Sequence, residues 1–326
     1  MRAVICKEWG PPESLVVEDI AVPEPGKGQV RVAIHASSVN FPDVLIIQNK
    51  YQFKPELPFS PGSDLAGVVT AVGEGVTRFK VGDKVMGMTP WGAFAEEAIA
   101  EEARLDPLPE GVDFAVAAGF PMVYGTSYHA LLDRGELKEG QTVLVLGAAG
   151  GVGLAAVEIA KAVGAKVIAA ASSAEKLAIC KEHGADEGIN YVEEDLREAL
   201  KRVCPKGPDV IYDPVGGDLA EPAFRSIGWR GKFLVVGFAG GHIPKIPLNL
   251  PLLKNASIVG VFWGAFVKTE YQQYLKDMEV LFGWLREGKL RPRVSDRFSL
   301  EDAPKAIQRL ADRKAAGKLI VEPQKG

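Results

Sequence analysis

Residues 142–172 read TVLVLGAAGGVGLAAVEIAKAVGAKVIAAAS, and no other stretch limits the possible folds so tightly. TVLVLG is a short aliphatic and β-branched run, the pattern of a strand buried on both faces. The small residues Ala148-Ala149-Gly150-Gly151-Val152-Gly153 make a tight turn. A helical pattern covers 151–163, Gly164 stops it, and 166–171 reads as a second buried strand. Strand, glycine turn, helix and strand make the βαβ unit that binds dinucleotides. Gly150 removes the Cβ that would block a pyrophosphate, Gly153 allows close helix–strand packing, and the free first-turn N–H groups face the phosphates. Ala148 stands where the usual GxGxxG has its first glycine, so the motif draws its strength from context. The competing reading is a glycine turn that serves only helix–sheet packing.

The middle of the chain continues this texture. Strands are predicted at 142–147, 166–171, 209–213, 232–237 and 257–262, with helices at 151–163, 174–183, 193–203 and 218–228. Short strands alternating with helices specify a doubly wound parallel sheet. Residues 1–120 differ: short apolar runs at 2–6, 16–19, 30–37, 67–72, 84–88 and 93–100 are split by turns such as PEPGKG and PFSPGS, which predicts a β-rich domain of strands and loops. Helix-like segments at 268–287 and 301–313 precede a terminal strand at 318–322. That strand has no place in a completed parallel sheet, so it is expected to rejoin the first domain. Ligand sites favour domain interfaces and the carboxyl ends of parallel strands, so the cleft between the domains is the expected active site.

Composition removes several function classes. With 326 residues and 47% apolar content, two cores are expected. A net charge of −4 with interspersed signs leaves no basic stripe for nucleic acid and no polybasic patch for a membrane. No apolar run reaches the ~18 residues of a membrane span, and MRAVICKEW reads as a strand rather than a signal peptide; a cytoplasmic protein is the expectation. Cys6, Cys180 and Cys204 are scattered, as are His35, His129, His183 and His242. Neither set has ligand spacing, and chemistry without a metal is expected.

The second strand also bears on the choice of dinucleotide. NAD-preferring units end that strand with an acidic residue for the ribose 2′-hydroxyl. Here the run is Ala171-Ser172-Ser173-Ala174-Glu175-Lys176. Two hydroxyls and a lysine suit a 2′-phosphate, while Glu175 falls in the first turn of the next helix, where an acid has an ordinary dipole role. NADPH is the expected cofactor. Asp213-Pro214-Val215-Gly216-Gly217 ends a later strand, so the backbone of Val215 and Gly216 is expected to approach it.

Seven segments carry a wider resemblance: SSVNFPDVLIIQNKY (37–51), PGSDLAGVVTAVGEGVTRFKVGDKV (61–85), YGTSYHAL (124–131), GAAGGVG (147–153), DPVGG (213–217), VVGFAGG (235–241) and GKLIVEP (317–323). In these the chain resembles the zinc-free branch of the medium-chain dehydrogenase/reductase superfamily, and within it the NADPH:quinone oxidoreductase (ζ-crystallin-like) family. The resemblance implies a GroES-like β-rich catalytic domain at 1–122 plus 264–326, and a Rossmann NADPH-binding domain, a doubly wound parallel sheet, at 123–263. Zinc-dependent relatives carry a Cys near the position of Asn40 and Gly-His-Glu where Gly62-Ser63-Asp64 stands here. It further implies that Asn40, Asp43 and Tyr51 line the nicotinamide and substrate side, with Thr126 near the nicotinamide. Gly150, Gly151, Val152 and Gly153 would cradle the pyrophosphate, and Ser173, Lys176, Tyr191 and Arg313 would surround the 2′-phosphate. Gly237, Phe238, Phe262, Trp263, Gly264 and Lys318 complete the implied cofactor-binding set. Two departures stand out: Ile47-Gln48-Asn49-Lys50 precedes Tyr51 in place of the family's Arg-x-Gly-x, and Leu45 stands where a second tyrosine is frequent.

A nicotinamide reductase without a metal can hold hydride donor and acceptor close together in a dry cleft and offer hydrogen bonds to the oxygen gaining charge. A quinone or an α,β-unsaturated carbonyl, in which conjugation spreads that charge, is the expected substrate. Tyr51 is the expected hydrogen-bond donor or proton source, with a stacking wall as the bland alternative. An enoyl-thioester reductase is the competing activity, for which Lys50, Lys54, Lys245 and Lys268 could form a basic entrance. An NADPH-binding structural protein is the reading from another class. The apolar run at 256–262, if it forms a sheet edge, predicts a homodimer, and Trp91 and Trp263 are expected near a flat substrate.

Overall fold

Aliphatic runs broken by Pro and Gly turns become strands through the first third of the chain. The computed structural model describes residues 1–324. In it the contacts divide into a unit of Met1–Met122 with the segment from Pro292 onward, and a unit of Val123–Arg291.

In the first unit β1 (Arg2–Ile5) pairs antiparallel with β2 (Val16–Asp19). β3 (Gln29–Ser38) is the backbone of the larger sheet. Val30, Val32 and Ile34 are fully buried while Arg31 and Ala33 between them are partly exposed, the period-two pattern of a strand with one face inward. It pairs antiparallel with β4 (Asp64–Val72) on one side and β6 (Glu97–Glu101) on the other, and β4 continues to β5 (Lys84–Met88) and β7 (Leu105–Pro107). The strand predicted at 93–100 begins only at Glu97, because Ala95 is taken by a bridge to Ala3. Two short helices, α1 (Phe41–Ile46) and α2 (Phe114–Ala118), occupy what the sequence presented as loop.

The second unit opens within α3 (Pro121–Tyr128), extended by a π-helical turn over His129–Arg134. Its six strands are β8 (Thr142–Leu146), β9 (Lys166–Ala171), β10 (Glu187–Asn190), β11 (Val210–Asp213), β12 (Lys232–Val235) and β13 (Ser257–Gly260). All pair parallel, in the order β10-β9-β8-β11-β12-β13. That is the doubly wound dinucleotide-binding order, in which the winding reverses between β8 and β11. Helices α4 (Gly151–Ala162), α5 (Ala174–Glu182), α6 (Leu196–Val203), α7 (Gly217–Arg225) and α8 (Asn249–Lys254) connect them. β10 escapes sequence reading because EGIN holds only one aliphatic residue, Ile189, which is fully buried.

Residues 264–291 fall in this second unit, not with the β-rich unit as the sequence suggested. The segment forms α9 (Trp263–Thr269) and α10 (Tyr271–Arg286). Trp263, Phe266, Tyr274, Met278 and Leu281 are buried, and the Phe266 ring stacks on His129 at 4.1 Å. Removing that aromatic area from water outweighs the sequence proximity to the final strands. From Pro292 the chain belongs to the first unit: β14 (Val294–Phe298), α11 (Ala303–Ala311) and β15 (Lys318–Val321) follow. β15 pairs parallel with β14 and antiparallel with β3.

The β3–β4 pairing leaves no room for a side chain at Gly67. A Cβ there would lie 2.0 Å from the Ala33 carbonyl oxygen, whereas at Gly260 in the edge strand β13 it would meet nothing within 4 Å. Gly67→Ala should cost about 2 kcal/mol or more, and Gly260→Ala should stay within about 0.5 kcal/mol of the parent. Urea midpoints measure both, and equal midpoints would refute the crowding.

Candidate functional site

The glycine turn sits at the carboxyl end of β8. Gly147 takes φ +58°, the Ala148 N–H donates to the Ala170 carbonyl of β9 at 3.1 Å, and Gly150 is the extended N-cap of α4. A Cβ on Gly153 would lie 2.4 Å from the Gly147 oxygen and 2.7 Å from that of Ala148. The first helical turn therefore packs directly on backbone. The N–H groups of Gly151, Val152 and Gly153 have no carbonyl behind them in the helix and point out of its N-terminus. Free N–H groups at a helix start that rests on bare backbone fit a diphosphate.

At the end of β9, Ser173 caps α5, its Oγ accepting the Lys176 N–H at 3.3 Å. The Lys176 ammonium turns back to Ser172 Oγ at 3.1 Å. Half-burial lowers the Lys176 pKa, with Glu175 opposing. The Tyr191 N–H donates to the Ala171 carbonyl, so Ser172, Ser173, Lys176 and Tyr191 gather at one strand end. Three of them are hydroxyl bearers and one a cation, the donor set a phosphate monoester requires. Arg313 lies in the other unit, just past α11, in the left-handed conformation at φ +58°.

β11 ends in Asp213, whose Oδ1 accepts the N–H groups of Val215 and Gly216, both at 2.8 Å. Burial pushes its carboxyl up to about 6 against those two bonds. The bonds from Ala239 N–H to the Pro214 oxygen and from Gly240 N–H to the Val215 oxygen join this loop to the one after β12. A Cβ on Gly216 would meet the Phe238 ring at 2.8 Å, and one on Gly237 the Pro214 oxygen at 3.2 Å. Phe262 is exposed, as is Gly264. The Trp263 indole, expected beside a ligand, is instead spent on packing: it is buried against Gly125 of α3, where a Cβ would lie 2.5 Å from its ring. Thr126 follows, half-buried. Trp91 stays partly exposed on its turn in the first unit.

The first unit places Asn40, Asp43, Asp64 and Lys318 in one buried cluster. The Lys318 ammonium donates to Asn40 Oδ1 at 2.6 Å and to the Val39 carbonyl at 3.0 Å. Asn40 Nδ2 donates to Asp64 Oδ2 at 2.9 Å, which also accepts Ser38 Oγ at 2.6 Å. Asp43 accepts the Asn40 N–H at 2.7 Å on Oδ2 and the Gly62 N–H at 3.2 Å on Oδ1. Burial raises both carboxyls, Asp43 to about 7, and lowers the lysine. Tyr51 packs on the hydrophobic core of this unit that includes Val39, Val44 and Ile47, and edges Phe53 at 5.8 Å. Burial and then the Asp43 charge raise its phenol, so the hydroxyl keeps its proton.

Residues 151–279 match the family model described as zinc-binding dehydrogenase, and 26–110 match that of the alcohol dehydrogenase GroES-like domain. The quinone oxidoreductase-like protein 2 homolog of Nematostella vectensis is 42% identical over 98% of this chain and 88% of its own. Human quinone oxidoreductase is 37% identical over 98% and 97%. The Escherichia coli quinone oxidoreductase solved with NADPH superposes with a TM-score of 0.92 at 29% identity, over 99% of this chain and 100% of that one. The chain belongs to the quinone oxidoreductase-like family of medium-chain dehydrogenases/reductases.

Within this family frame the buried cluster bears on three of the expected site residues. Both ends of the Asn40 amide are bonded inside the first unit, and Asp43 caps α1 and holds the Gly62 loop. These bonds tie both side chains into the limb that leads to Tyr51. Lys318, implied to bind cofactor, is an internal cation. The same ammonium bears on zinc. A divalent ion beside Asn40 and Asp64 would meet the buried Lys318 side chain, whose Nζ already holds Asn40 Oδ1. Among the described residues no group of three or more His, Cys, Asp or Glu could hold one. Sequence reading missed Ser38 and Asp64; the polar pair Ser37-Ser38 at the end of an alternating strand was the available signal.

Asp43 links the cluster to pH. With its folded carboxyl at about 7, the folded protein holds a proton that the unfolded chain has released above pH about 4. The associated stability is present in full below pH about 4 and is lost as pH rises through about 7. Asp43→Asn cannot titrate, so its urea midpoint should fall less steeply than the parent's over that window. Parallel profiles would refute the assignment.

Proposed function

We propose that the protein is an NADPH-dependent reductase that delivers hydride to a quinone or similar conjugated carbonyl acceptor without a metal. The observation that carries this reading is the β9 terminus. Ala171 is followed by Ser172, Ser173 and Lys176, with no acid at the strand end and the lysine folded back onto the serine, beside a glycine turn shaped for a diphosphate. The NADPH complex of the Escherichia coli relative supports it.

When bound, NADPH supplies the hydride. The chain supplies the rest. The amides of Gly151–Gly153 and the dipole of α4 bind the diphosphate, and Ser172, Ser173, Lys176 and Tyr191 bind the 2′-phosphate. Tyr51 would direct its hydroxyl hydrogen bond at the acceptor oxygen as the carbonyl π bond opens, and a proton from water would complete the reduced product. A neutral phenol in a half-buried setting can donate a hydrogen bond to developing negative charge without first shedding its own. Conjugation in the acceptor compensates for the missing Lewis acid.

Following 340 nm absorbance with NADPH and a naphthoquinone tests the reading; steady consumption is expected. Oxidation only with crotonyl-CoA would replace the quinone by an enoyl thioester, and none with either acceptor would overturn the enzyme reading.

The coenzyme preference has its own variant. Lys176→Glu should raise the NADPH dissociation constant about tenfold or more, because a charge-assisted bond becomes a repulsion. NADH, which has no 2′-phosphate, should be almost unaffected. An equal loss for both would remove Lys176 from that role.

A further inference from the structure

α3 grips α4 at two points. Tyr124 and Ser127 are three residues apart and so share a face of α3. Tyr124 Oη donates to Glu158 Oε2 at 2.7 Å, and Ser127 Oγ donates to the Val152 carbonyl at 2.9 Å. Val152 lies inside the glycine turn's first helical turn. Ser127 Oγ is also 2.9 Å from Tyr212 Oη on β11, and both residues are completely shielded from solvent.

Proton counting gives the direction of that second bond. A serine has one hydroxyl proton, and a carbonyl can only accept. Ser127 must therefore spend its proton on Val152, and Tyr212 must donate to Ser127 Oγ. Burial raises the Tyr212 phenol, so the proton for this bond is always present. The result is a directed chain, Tyr212 to Ser127 to Val152. It joins the strand that ends in Asp213 and the Val215–Gly216 loop, the helix that carries Thr126, and the turn that carries Gly150–Gly153.

The Val152 carbonyl already has the acceptor role that helix geometry gives it toward residue 156. α4 can thus form without Ser127. What the extra bond adds is a fixed position for the first turn of α4 relative to β11, and with it the aim of the N–H groups at Gly151, Val152 and Gly153. We infer that Ser127 and Tyr212 are positioning residues for the coenzyme diphosphate: they act through the Val152 carbonyl and touch no ligand. This rests on the reading of the glycine turn as a dinucleotide site.

The test must separate positioning from plain stabilisation. Ser127→Ala alone leaves the Tyr212 hydroxyl buried without its acceptor and should cost stability for that reason. The double variant Ser127→Ala/Tyr212→Phe removes both polar groups and should recover a melting temperature close to the parent's. Its dissociation constants for NADPH and NADH, measured by titration calorimetry, should nonetheless rise by one common factor, roughly five- to tenfold. A common factor is expected because the pair aims at the diphosphate, which both dinucleotides share. With a naphthoquinone, the KM for NADPH should rise by more than kcat falls. A double variant that binds both dinucleotides as tightly as the parent would overturn the inference alone. Failure of the parent to bind either dinucleotide would overturn the coenzyme reading, and the inference with it.

Discussion

The contact between the first turn of α4 and the end of β8 is the constraint on which the second unit depends. The backbone of Gly153 sits so close to the carbonyls of Gly147 and Ala148 that any β-carbon would collide with them. Helix and strand can meet there only as bare backbone, which brings the unpaired amides of the helix start level with the carboxyl ends of the parallel strands. The rest of the unit is arranged around that level. Asp213 turns its loop with two N–H bonds, Gly216 yields space to Phe238, and Ser173 caps α5 so that its lysine lies along the strand end.

The first unit solves a different problem. Two carboxyl groups and a lysine are withdrawn from water together, which is expensive unless most of their polar atoms are matched; all but Asp64 Oδ1 are. The matching comes from far apart in the chain: Lys318 from the last strand, Asp64 from β4, Asn40 and Asp43 from the loop and helix after β3. The cluster thereby ties the C-terminal strand to the limb leading to Tyr51.

Both units use a buried carboxylate to organise backbone, but with opposite surroundings. Asp43 and Asp64 are balanced by Lys318, whereas Glu158 in α4 is met by the Tyr124 hydroxyl, the His183 ring and the Arg291 amide. In the same unit Trp263 packs on Gly125 of α3, Phe266 stacks on His129 and Tyr274 meets the Trp263 ring edge-on, an aromatic layer. That layer is what draws 264–291 away from the β-rich unit to which sequence order had assigned it.

The sequence by itself determined the parallel sheet, the turn that opens α4, the β9 terminus and the β-rich texture of the first hundred residues. Each is written in local periodicity or in the absence of a side chain, and neither needs distant partners to be read. It could not show that Asn40 and Asp43 face inward, that Lys318 is an internal cation, or that the Trp263 indole is used up in packing. Those depend on which residues from remote segments arrive at the same point, and on a competition between solvation and pairing that only the assembled core decides. Helices α1 and α2 and strand β10 belong to the same class: their residues have weak local preferences, and tertiary contacts set their conformation.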